Sequence, residues 1–126
     1  MNQLPPPPHK PLEWVGRSLE ELLALPEEVR RDMGFALRFA QADIKHDHAK
    51  PLKGYTGAGV LEVVENHDGD TYRAVYTVKL AGIVYVLLCL QKKSKSGIAT
   101  PKATLDLINQ RLRVAEMMHA KRSKNA

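Results

Sequence analysis

The hydrophobic and polar positions of residues 60–95 first alternate and then fill in, a pattern that predicts three consecutive antiparallel strands. Residues 60–65 are a β-branched run. Residues 66–70 (NHDGD) supply turn chemistry, with Gly69 free to take positive φ. Between 72 and 80 the alternation is strict. Tyr72, Ala74, Tyr76, Val78 and Leu80 share one face, and Arg73, Val75, Thr77 and Lys79 share the other. Ala81-Gly82 predicts a turn, and residues 83–90 return as an almost wholly apolar strand, which must be buried on both faces. A two-residue turn there sets Arg73 opposite Leu90, with Lys92 diagonal to Arg73; a one-residue slip would bring Lys93 there instead. Arg73 therefore has a lysine beside it in either register. Its alternative fate is an ion pair with a carboxylate such as Glu62 on the neighbouring strand.

Helical spacing governs the flanks. Residues 11–16 (PLEWVG) predict a short strand, and Ser18 followed by Glu21 has the capping-box form ahead of a short helix over 19–25. Pro26, Glu27 and Glu28 open a second helix. Its stripe of Val29, Met33, Ala36, Leu37 and Ala40 ends near Asp43. Thr100-Pro101 announces a last helix with Leu105, Ile108, Leu112 and Ala115 inward, and with Lys102, Arg111 and Arg113 as exposed candidates. It is expected to fade near His119. The fold class is α+β: an antiparallel sheet of about four strands, an N-terminal helical hairpin and a C-terminal helix. Residues 1–10, with Pro5–Pro8, predict an extended tail, residues 11–119 one domain, and residues 120–126 a basic tail.

The 126 residues suffice for one modest core. Nineteen Lys and Arg against 14 Asp and Glu leave a charge of +5, which favours nucleic acid or an acidic protein as partner. Cys89, the single cysteine, lies in the apolar strand and reads as a buried small hydrophobe, so a reduced, cytoplasmic setting is expected. No apolar run approaches the ~20 residues of a membrane span, so no membrane partner is expected. Residues 49–59 (AKPLKGYTGAG) form a lysine- and glycine-bearing loop without the phosphate-loop pattern of nucleotide triphosphatases. His46-Asp47-His48 has no second ligand cluster at suitable spacing and reads as a polar loop rather than a metal site.

The order of these elements resembles the RelE/ParE toxin superfamily. The words KPLKG at 50–54, GDTYRAVYTV at 69–78, and QKKSK followed by TPKATLDL within 91–107 look like its phage-derived HigB-like branch. The resemblance spans residues 11 to 115. It implies a toxin of a type II toxin–antitoxin system, a metal- and cofactor-independent endoribonuclease that cuts mRNA on the ribosome. The implied partners are ribosome, mRNA and a helix-turn-helix antitoxin, with which it would form a hetero-oligomer. By the same resemblance, Arg73, Lys92, Lys93 and Lys53 would be catalytic, and Lys50, Lys53, Tyr55 and Lys95 would bind RNA. Such chemistry needs a base for the 2′-hydroxyl, cations for the phosphorane and an acid for the 5′-oxygen. Leu88 and Leu90 stand where relatives often place a histidine or an aromatic, and Val64 stands where they often place arginine. The acid–base pair is therefore open. A fold-mate that blocks a protein target such as gyrase, or a degenerate member that mainly binds its antitoxin, is the alternative.

Overall fold

The computed structural model describes residues 9–52, 55, 59–92 and 101–124. Its strands are β1 (Leu12–Trp14), β2 (Ala49–Pro51), β3 (Val60–His67), β4 (Asp70–Thr77) and β5 (Val84–Lys92); its helices are α1 (Ser18–Leu23), α2 (Glu27–Gln41) and α3 (Lys102–Lys124). They form one five-stranded sheet of order β1-β5-β4-β3-β2. The three expected antiparallel strands make its centre. The sheet is mixed rather than wholly antiparallel, because β1 pairs parallel with β5. It has a fifth strand because Ala49–Pro51, expected as loop, pairs with Leu61–Val63 at the edge.

The hairpin between β3 and β4 closes on Asp68 and Gly69, with φ of 50° and 82°. Two successive positive φ values are what a tight twisted hairpin requires, and Asp-Gly is among the residue pairs that supply them most easily. At the other hairpin, Arg73 lies opposite Leu90 and Val75 opposite Leu88, as the two-residue turn demands. Beyond that point Tyr76 faces Val86 and Thr77 faces Tyr85, one residue out of step. Leu87 is the extra residue of a β-bulge. That is why Leu87 and Leu88, neighbours in sequence, both join the cluster on one face of the sheet.

The helices cover the two faces separately. Val29, Met33, Ala36, Leu37 and Ala40 of α2 and Leu22 of α1 pack with Val63, Tyr72, Ala74, Tyr76 and Val86. Ile108, Leu112 and Ala115 of α3 pack on the opposite face with Val60, Val75, Tyr85, Leu87 and Leu88. Residues 83–89, leading into and forming most of β5, are buried throughout, as an apolar run covered by helices on both faces of the sheet must be. Burial pushes the Tyr76 hydroxyl and the Cys89 thiol each up to about 12. For Cys89 the nearby Glu21 carboxylate adds to this, and the thiol is a packing group rather than a nucleophile.

Three expectations change. Ser18 does not cap a helix. It is the first residue of α1, and its buried hydroxyl donates to the Val86 carbonyl at 3.0 Å, anchoring α1 on β5. The tail joins the fold by residue 9: the His9 and Lys10 amides donate to Gln41 O, and Gln41 Nε2 donates back to Lys10 O at 2.7 Å. These bonds satisfy a terminal carbonyl of α2 that has no partner within its own helix. Finally, α3 runs on past His119 to Lys124, held by Tyr85 Oη against His119 Nδ1 at 3.1 Å and by Arg122 on Glu13 at 2.5 Å. No helix among the described residues is long and apolar enough to cross a membrane.

Candidate functional site

The α3 face of the sheet carries the charged positions, and the registers fix their relations. Lys50 of β2 lies opposite Glu62 of β3, Arg73 of β4 opposite Val64 and Leu90, and Lys92 of β5 opposite Thr71. Residues two apart on a strand share a face, so Lys50, Glu62, Arg73 and Lys92 form an oblique row toward one end of the sheet. The register selects Lys92 as the lysine diagonal to Arg73. Lys53, Lys93 and Lys95 lie outside the described residues.

Arg73 and Glu62 are a buried ion pair. Arg73 Nε stands 2.8 Å from Glu62 Oε1, with the two residues only 4% and 1% exposed. Each strand projects its charge into the layer that also holds Val60, Val75 and Leu88, so neither charge is tolerable without the other. Of the two fates that the sequence leaves open for Arg73, the ion pair with Glu62 is formed. Lys92 is half-buried at the strand end, Lys50 is exposed on the edge strand, and Tyr55 is half-buried against the α3-side cluster.

The loop at 46–48 is more ordered than its polar composition suggests. His48 Nδ1 lies 2.8 Å and 3.0 Å from the two carboxylate oxygens of Glu65, whose side chain is 9% exposed while the imidazole is 56% exposed. The His48 amide donates to His46 Nδ1 at 3.1 Å, and the two rings meet edge to face at 5.1 Å. The hydrogen bond to Glu65 and that carboxylate's charge hold the His48 pKa above its ordinary value. Together with Asp47, Lys50, Val64 and Asn66, the pair lines a groove of about 360 Å³ at the β2–β3 edge. The sequence signal for this pair was Glu65 itself. A carboxylate near the end of an apolar strand needs a partner, but nothing in the spacing names a histidine 17 residues away.

A second, apolar pocket of about 150 Å³ lies on the α2 face of the sheet, lined by Ala40, Ile44, Leu61, Tyr76 and Val78. No group of three or more His, Cys, Asp or Glu side chains suited to a metal exists among the described residues.

Residues 20–113 match the family described as Phage derived protein Gp49-like. Among solved structures, the chain is similar to a doubly substituted variant of E. coli toxin RelE in the free state. The TM-score is 0.54 and the identity 16%, over 83% of this chain and 96% of that one. No curated protein matches the sequence. The family match takes in α2 and strands β2 to β5 whole, with most of α1 and the first half of α3. The chain belongs to the phage-derived Gp49-like family and has the RelE toxin fold.

Proposed function

We propose that this protein is the toxin of a type II toxin–antitoxin system and that it cuts mRNA on the ribosome. The observation that carries this reading is the placement of Lys50, Arg73 and Lys92 on one face of a RelE-type sheet, in a chain of net charge +5. Lys92 and Lys50, with Lys53, Lys93 and Lys95, hold the RNA phosphates in this reading, and Tyr55 offers a ring for a base. Arg73 supplies a fixed positive charge at the floor of the site, oriented by Glu62. Arginine keeps its charge throughout turnover and suits stabilisation of the phosphorane, whereas lysine can also move protons. A co-encoded helix-turn-helix antitoxin keeps the toxin silent in a hetero-oligomer.

The second reading, a RelE-fold protein that blocks a protein target such as gyrase without chemistry, is favoured by the burial of Arg73 on Glu62. Expression of the protein without its partner, followed by primer extension on a reporter mRNA, separates the two. New 5′ ends within translated codons, lost when translation initiation is blocked, are the expected outcome. Growth arrest with intact mRNA and accumulating gyrase–DNA lesions would transfer the assignment to the second reading.

A further inference from the structure

The proposed nuclease lacks an assigned proton donor for the leaving group, and the geometry points to His48, oriented by Glu65, as that general acid. This inference rests on the nuclease reading. Glu65 takes the Nδ1 side of the ring with both carboxylate oxygens, at 2.8 Å and 3.0 Å. The carboxylate comes from the rigid β3 strand and is almost wholly buried, so it fixes both the tautomer and the ring plane. Among the described residues no hydrogen bond engages Nε2, which remains on a ring that is more than half exposed. Lys50, a proposed phosphate ligand, lines the same groove, whose roughly 360 Å³ falls within the range of small-ligand sites. A half-exposed imidazole backed by a buried carboxylate, beside a cation, places a proton donor where a phosphodiester can be held.

The step balances without a further reagent. The 2′-oxygen attacks phosphorus and the P–O5′ bond breaks. The 2′-hydroxyl proton passes to solvent water, and the Nε2 proton of the His48 imidazolium passes to O5′. The products are a 2′,3′-cyclic phosphate and a 5′-hydroxyl, and the neutral imidazole regains its proton from water. Facing His48 are Glu65 of β3, His46 and Asp47 of its own turn, and Lys50 of β2, while Asp32 of α2 acts on it at longer range. The acidic groups among them favour the imidazolium, so activity falls as pH rises through the raised His48 pKa.

The experiment compares wild type, His48→Ala and Glu65→Gln on ribosome-bound mRNA carrying either a normal linkage or a single 5′-bridging phosphorothiolate. A sulfur leaving group departs without protonation. His48→Ala is expected to lose about 10²- to 10⁴-fold on the normal linkage. It should approach wild type on the sulfur linkage even though it melts at a lower temperature, because the buried Glu65 carboxylate loses its partner. Glu65→Gln moves the alkaline limb of the pH–rate profile to lower pH, which a merely structural role would not do. Equal rates for His48→Ala and wild type on the normal linkage overturn the assignment while leaving the nuclease reading in place, and so does a loss that the sulfur linkage fails to rescue. A wild-type protein that cuts neither substrate overturns the nuclease reading and this inference together.

Discussion

At the scale of single residues, the buried pair of Arg73 and Glu62 shows how far position constrains role. Both side chains sit in strands that bury both faces, so removing one leaves an uncompensated charge in an apolar layer. Arg73→Ala is expected to cost about 3–5 kcal/mol in urea unfolding. Replacing both partners by apolar residues of similar volume, Arg73→Met with Glu62→Leu, should recover most of that loss, because neither charge is then stranded. The pair of variants also separates stability from function. In the nuclease reading the restored double variant stays non-toxic, since the phosphorane has lost its fixed cation. Regained toxicity would assign Arg73 to the fold alone. The sequence offered both fates for Arg73, because strand alternation fixes which face a side chain takes but not which neighbour it meets.

At the scale of elements, the open edge of β5 organises the molecule. β1 covers only Val84–Val86, and past that point the strand presents unpaired backbone groups beside the bulge. Glu21 of α1 and Arg111 of α3 close this gap. Arg111 donates to both Glu21 oxygens at 2.8 Å and to the Leu87 carbonyl at 2.9 Å, while the Cys89 amide donates to Glu21 Oε1 at 3.2 Å. One bidentate pair thus satisfies a strand edge and ties together two helices 90 residues apart. Glu21→Ala should cost about 2–4 kcal/mol, since it strands both a largely buried guanidinium and a strand amide. Glu20→Ala, which breaks only the exposed contact to Arg17, should cost less than about 1 kcal/mol. Urea unfolding and amide exchange at Cys89 measure both, and equal small losses would remove the network from any account of stability. Arg111 read as exposed from helical spacing because its partner lies on α1, and Ser18-Leu19-Glu20-Glu21 read as a capping box because the local pattern fits one. The same locality made the Asp68-Gly69 turn and the buried stripe of α2 legible, since their causes lie within a few residues. The bulge at Leu87, the edge strand at Ala49–Pro51 and the pairing of His48 with Glu65 depend on tertiary neighbours, which no window of sequence contains.

At the scale of the whole molecule, charge and exposed apolar surface together describe the partner. The chain carries +5, while Leu19 and Leu23 of α1 and Val114 and Met117 of α3 remain exposed. In the proposed system the antitoxin meets both features, with acidic groups steering approach and apolar contacts setting residence time. The two contributions respond differently to salt. Steering acts over a Debye length of about 10 Å at 0.1 M and about 3 Å at 1 M, so added salt removes it, whereas apolar burial is hardly screened. The association rate of toxin with antitoxin should therefore fall roughly tenfold or more between low and high salt, with the dissociation rate changing little. Stopped-flow mixing of the two proteins across a salt series measures both rates. An association rate flat across that series would remove charge steering from the account. Separate elution of the two proteins from gel filtration at micromolar concentration would remove the antitoxin itself, and with it the toxin–antitoxin reading of the fold.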